Sequence, residues 1–159
     1  MSLAQLTQNS RQAPVIPALA PVTNALSPLA EPLVRITAGL LLVPHGGQKL
    51  FGWFGGYGLD ATGQFFSSKL GLPPSLALVA GIVEFFGGLM LAAGLATRVV
   101  AALVVGLMAV AVVQVHFGAG FFWTSGGFEY PLFWGIVALA FVLRGGGPYS
   151  LDAAIGYEV

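Results

Sequence analysis

Five side chains in this sequence are of types that handle protons or bind polar groups, and each lies in or beside an apolar stretch: His45, Lys49, Glu84, His116 and Glu129. His45 and Lys49 are one helical turn apart and share a face. Glu84 is the one carboxylate inside the apolar run from Leu76 to Arg98. A charge placed there costs on the order of several kcal/mol unless partnered, and marks a function by default. A His and Glu pair at one depth, with a Lys nearby, can bind and protonate a carbonyl oxygen, as reduction or oxidation of a quinone headgroup requires. His45 and Glu84 would handle protons, Lys49 would stabilise developing negative charge, and His116 with Glu129 would guard or relay protons at the mouth. Phe85, Phe86, Phe121, Phe122 and Trp123 would receive the ring and an isoprenoid tail.

Other chemistries fit the same side chains less well. Two His and two carboxylates are legitimate metal ligands, but the spacing is not that of a Glu-x-x-His bundle site and the depths differ, so a metal is disfavoured. The sequence has no cysteine, which excludes a disulfide, an iron–sulfur cluster, a CxxCH-linked haem and a thiol nucleophile. A bis-histidine haem is a further alternative. So is a plug without chemistry, in which a protonated Glu84 and its neighbours only hydrogen-bond between helices and fix their register.

The elements that position these groups are apolar helices. Of the 159 residues 57% are hydrophobic and 8% charged, against roughly 25% charged in a soluble domain. The fold class expected is all-α: a polytopic membrane protein, a four-helix transmembrane bundle with a short interfacial helix between spans 1 and 2. The lipid bilayer is then its first partner. Net charge is zero and no basic run occurs, so nucleic acid is not a partner.

Residues 1–31 hold Pro14, Pro17, Pro21 and Pro28 and read as an extended, Pro-rich N-terminal arm lying against the membrane, a sister subunit or a partner. No basic region precedes an uninterrupted apolar core there, so a cleaved signal is not expected. The four-helix domain covers residues 32–146, with spans at about 32–54, 75–96, 99–118 and 130–144 by length and hydropathy. Arg35 lies near the first span's end and is expected to snorkel outward; Pro44 should kink that span. Asp60 as N-cap and Gly71 as stop delimit the interfacial helix. The tail, residues 147–159, holds Ser150 as an N-cap with Asp152 in the first turn. On the second span Glu84, Gly87, Gly88, Leu91, Leu95 and Arg98 share a stripe where another helix can approach.

Four spans place both termini on one side of the membrane. Arg11, Arg35, Arg98 and Arg144 gather there, against Lys49 and Lys69 opposite, so the positive-inside rule puts the termini in the cytoplasm. His45 and Glu84 each lie about nine residues from the outer surface, or about 13 Å deep. The five groups therefore converge on the outer half of the bundle, drawn from all four spans.

Several motifs in a fixed order resemble the DoxX family of small four-helix membrane proteins, over about residues 33–152. They are Arg35 with Gly39; HGGQKLFG from His45 to Gly52; Glu84, Gly87, Gly88, Leu91, Gly94, Leu95, Thr97 and Arg98; HFGAGFFW from His116 to Trp123; GFEYPL from Gly127 to Leu132; and GPYSLD from Gly147 to Asp152. The Pro-rich arm has no counterpart in that pattern. The resemblance implies an integral membrane component of an oxidoreductase system, as in the membrane subunit of a thiosulfate to quinone oxidoreductase, set in the cytoplasmic membrane of a bacterium or archaeon. Among the chain's own residues only Tyr and Trp could lose an electron, so a bound cofactor or a partner redox subunit is required for electron transfer; a homo-oligomer is the other partner expected. Distant relatives of the same fold imply the opposite class, a non-catalytic membrane scaffold or receptor that recruits proteins.

Overall fold

The computed structural model describes residues 15–157. The chain divides into two compact units, Met1–Ala30 and Glu31–Val159. In the first, the expected extended arm is helical from Pro17 onward: a 3₁₀ turn Pro17–Leu19, helix α1 (Ala20–Leu26) and a second 3₁₀ turn Ser27–Leu29. Pro17, Pro21 and Pro28 each stand at the first or second position of one of these pieces. There the missing N–H has no intrahelical acceptor to lose and the fixed φ suits the helix, so the prolines start turns instead of blocking them. Pro14 and Arg11 lie outside the described residues.

The second unit is a bundle of α2 (Ala30–Phe51), α4 (Ser75–Ala93), α5 (Thr97–Val110) and α6 (Glu129–Arg144), with the short α3 (Gly58–Leu70) between α2 and α4 and α7 (Leu151–Ile155) after α6. Among the described residues the stretches Pro17–Phe51, Ser75–Ala93 and Thr97–Ala119 are long and apolar enough to cross a membrane. α6 has 16 residues, about 24 Å of helix, and completes the bundle. α2 runs on through Pro44. α3 opens at Tyr57 and Gly58, not at Asp60, which lies inside its first turn and so serves the helix dipole instead of capping it. Gly71 does end it, in the left-handed region.

Burial is inverted relative to a water-soluble protein. Leu33, Leu40, Leu103, Ile136 and Leu143 are half or more exposed, while Arg35, Glu84, Thr97 and Asp152 are buried. Hydrocarbon outside and polar groups satisfied inside is the arrangement that a bilayer imposes. The apolar core lies between the helices in two groups, Leu42, Val83, Val104, Met108 and Ala138 at one level and Leu91, Val100, Ala101 and Phe141 at the other. With no hydrophobic drive between helices in lipid, close approach of backbones has to supply the cohesion. The glycines allow it: a Cβ on Gly39 would strike the backbone of Gly88 and Ala92, and one on Gly46 the backbone of Phe85 and Gly81.

The end of the bundle away from Lys49 is tied by side chains reaching backbone. Arg35 does not snorkel; it is 1% exposed. Its Nη1 donates to the carbonyls of Leu91 (2.9 Å) and Ala92 (2.5 Å), and its Nη2 to that of Tyr149 (2.6 Å). The cause is the end of α4 at Gly94: the Gly94 N–H still reaches Leu91 (3.1 Å), but those of Leu95 and Ala96 go to Met90 and Asp152, so the last carbonyls, Leu91 with one donor and Ala92 with none from the helix, have lone pairs to spare. The guanidinium fork satisfies them. Ser150 caps α7 as expected, its Oγ accepting from the Ala153 N–H. Asp152 reaches further and accepts from the N–H of Ala96 (2.7 Å), the N–H of Thr97 (2.9 Å) and the Thr97 hydroxyl (2.7 Å), which caps α5. Burial pushes its carboxyl up, but Thr97, the two backbone donors and the charge of Arg35 together outweigh that and hold it below the ordinary carboxylate value. Arg98 donates to the carbonyls of Val142 and Leu143 at the end of α6, and Arg144 pairs with Glu31 at 3.0 Å.

Candidate functional site

Glu84 enters the bundle on a π-helical segment, Val83–Gly87, that interrupts the α-helical hydrogen bonding of α4. Such a segment holds an extra residue in one turn and is a common way to aim a side chain at a site. Facing it is the last part of α2, where buried Gly46 lets the two backbones touch. One turn further along, the Lys49 ammonium donates to both carboxylate oxygens of Glu84, at 2.9 and 2.6 Å. Glu84 is 6% exposed, so the charge-assisted pair compensates a carboxylate that could not stand alone in this setting.

The pair borders a cavity of about 1150 Å³. Its walls are mostly Leu, Val, Ala, Gly and Phe from α3, α4 and α5. Polar atoms come from few residues: His45, Gln48, Lys49 and Glu84 at one end, His116 and Tyr130 among the others. A large apolar cavity with a small convergent set of polar groups is the usual form of a small-molecule site. His45 makes no hydrogen bond among the described residues, whereas Nδ1 of His116 lies 2.6 Å from the carbonyl oxygen of Gly126. Trp123 and Tyr130, both on the cavity, stack nearly parallel with ring centroids 5.2 Å apart.

Of the residues singled out from the sequence, His45, Lys49, Glu84, His116 and Trp123 are brought to this one cavity. Three are not. Phe85 packs edge-on against Phe51 (5.2 Å) and Trp53 (5.6 Å), where it supports the Gly46 contact instead of lining the space. Phe122 is 66% exposed. Glu129 accepts from the Trp123 N–H at 3.1 Å and so shapes the loop behind the wall. Sequence reasoning passed over Tyr57, Tyr130 and Trp134, which do line it. The signal for Tyr130 was its place beside Glu129 at the start of α6; Tyr57 stands in a Gly-rich linker, where an aromatic suits the membrane interface equally well. Among the described residues no three His, Asp or Glu side chains group closely enough to hold a metal ion.

Known proteins agree with a membrane-helical chain of this kind. The family model DoxX matches residues 32–117, which takes in α2, α3, α4 and nearly all of the third span. A protein of Bacillus subtilis (strain 168) named "Putative oxidoreductase CatD" is 32% identical over 120 residues, covering 76% of this chain and 82% of that one. No solved structure matches. The order and spacing of the spans, the motifs they carry and the extent of these matches lead to one conclusion: the chain belongs to the DoxX family.

Proposed function

We propose that this chain is the membrane component of a redox system and binds a quinone in the cavity beside Lys49 and Glu84. The observation that carries this reading is a buried, hydrogen-bonded ion pair on the wall of an otherwise apolar cavity of about 1150 Å³. Ligand sites are usually roughly 300–1,000 Å³, so there is room for a ring and several isoprenoid units. Lys49 would donate to a ring oxygen, with Glu84 fixing the ammonium, and His45, which has no other partner among the described residues, would exchange protons with that end of the ligand. A quinone supplies two-electron, two-proton chemistry when bound. With no cysteine among the chain's residues, electrons have to come through a bound cofactor or a partner redox subunit, and the oxidoreductase name of the Bacillus subtilis relative favours the same setting. The membrane is the cytoplasmic one with both termini inside, because Arg98 and Arg144 stand at the opposite end of the bundle from Lys49.

The test is the quinone content of the gently solubilised, purified chain against that of bulk membrane extract. Enrichment to near one quinone per chain, lost in a folded Glu84→Gln variant, is the expected result. Content at the lipid background in both proteins would reject the reading in favour of a scaffold that recruits partners.

A further inference from the structure

His116 differs from the other polar groups on the cavity because its hydrogen-bonding state is fixed from behind. The carbonyl oxygen of Gly126 lies 2.6 Å from Nδ1. A carbonyl oxygen only accepts, so Nδ1 carries the hydrogen, and in the neutral ring Nε2 is then an acceptor without one. Nε2 has no partner among the described residues, and His116 and Gly126 both line the cavity.

The loop that holds Gly126 is rigidly built. The Gly126 N–H donates to Trp123 (2.9 Å), that of Gly127 to Phe122 (2.9 Å), that of Phe128 to Gly120 (3.0 Å) and that of Glu129 to Phe121 (2.9 Å). Gly127 has no room for a Cβ against the backbone of Gly120 and Phe121. The Gly126 carbonyl is therefore held in place behind the imidazole. The cavity's other polar pole has the opposite character. An ammonium only donates, and two of the three N–H groups of Lys49 are taken by Glu84, which leaves one for a ligand.

Resting on the quinone reading above, we infer that His116 makes the cavity prefer the reduced, hydroxyl-bearing form of its ligand over the oxidised, carbonyl-bearing form. Lys49 serves either form, since a carbonyl and a hydroxyl both accept. Nε2 of His116 serves only the hydroxyl, which donates to it. Against a carbonyl, two lone pairs face each other and the imidazole acceptor is left unsatisfied in an apolar space, a loss large enough for a preference of at least about tenfold.

The experiment is a redox titration of decylubiquinone bound to the full chain in lipid nanodiscs at about pH 8, where free imidazole is neutral. A tenfold preference for the quinol raises the two-electron midpoint potential by about 30 mV over the same quinone in nanodiscs without protein. His116→Asn can keep an N–H on the Gly126 carbonyl while placing nothing where Nε2 was. That variant should therefore hold the loop and lose the shift, whereas a purely structural His116 predicts no change between the two proteins. A wild-type potential equal to or below that of the free quinone overturns the inference, as does a shift that survives in folded His116→Asn. Should the Asn variant not fold, the sign of the wild-type shift decides alone. Wild-type chain that holds no quinone in stoichiometric amount rejects the quinone reading itself and this inference with it.

Discussion

Gly39 and Gly88 stand in reciprocal contact: a Cβ on Gly39 would collide with the Gly88 carbonyl oxygen, and a Cβ on Gly88 would sit 2.7 Å from the Gly39 carbonyl oxygen. Seven residues on from Gly39 and seven before Gly88, Gly46 and Gly81 extend the same close seam between the first and second spans, Gly46 against the Gly81 carbonyl and Gly81 against the Leu50 side chain. The Lys49–Glu84 pair lies at one end of the seam and Arg35 with its carbonyls at the other.

Gly39→Ala and Gly88→Ala should each lower the stability of the bundle by about 1–3 kcal/mol, because the obstructing atoms are backbone and cannot rotate aside. Gly106→Ala, in α5 with nothing within 4 Å of the added methyl, should be neutral or stabilising by up to about 1 kcal/mol from helix propensity alone. Thermal unfolding of the three variants in one detergent compares them directly. Equal melting temperatures would mean that the seam adds nothing.

Asp152→Ala removes the acceptor for three donors of the α4 to α5 turn and should cost about 1–3 kcal/mol. Thr97→Val removes only the hydroxyl and should cost less. The carboxyl's value is lowered in the folded chain, so its contribution is fully present above the unfolded carboxylate value, about 3.9, and is lost as pH falls through the lower folded value. Acid unfolding should thus begin at higher pH without it. A wild-type and an Asp152→Ala chain with identical acid transitions would argue against this role.

Arg35→Lys should destabilise nearly as much as Arg35→Met, by about 2–4 kcal/mol, since an ammonium cannot reproduce a fork that reaches three carbonyls on two segments. If the Lys variant unfolds like wild type, charge alone is what the position needs.

Four spans, the stop at Gly71 and the Ser150 cap could be read from the sequence because each depends on residue type within one or two turns. Arg35 was misjudged, and the reach of Asp152 beyond its own helix was missed, for the opposite reason. Their partners are backbone groups on other elements, Leu91, Ala92 and Tyr149 for one and Ala96 and Thr97 for the other, and a backbone group has no side-chain signature. The inward direction of Glu84 followed from the cost of a charge in lipid, yet its partner is Lys49, where depth had suggested His45. Depth was counted at a constant rise to Phe54, whereas α2 ends at Phe51 and the second span contains a π turn. The lysine stem spans the difference. Prolines 17, 21 and 28 were read as helix breakers because their number was weighed and their position in each turn could not be.

The Asp152 cap also sets an order of events during synthesis. The turn between the second and third spans has emerged 55 residues before the carboxylate that satisfies it, and all four spans leave the ribosome first. Each hydrophobic segment can partition into lipid as it appears, but the Thr97 end of the bundle closes only after the last span is made. A chain truncated between Arg144 and Asp152 would carry all four spans and still lack that closure.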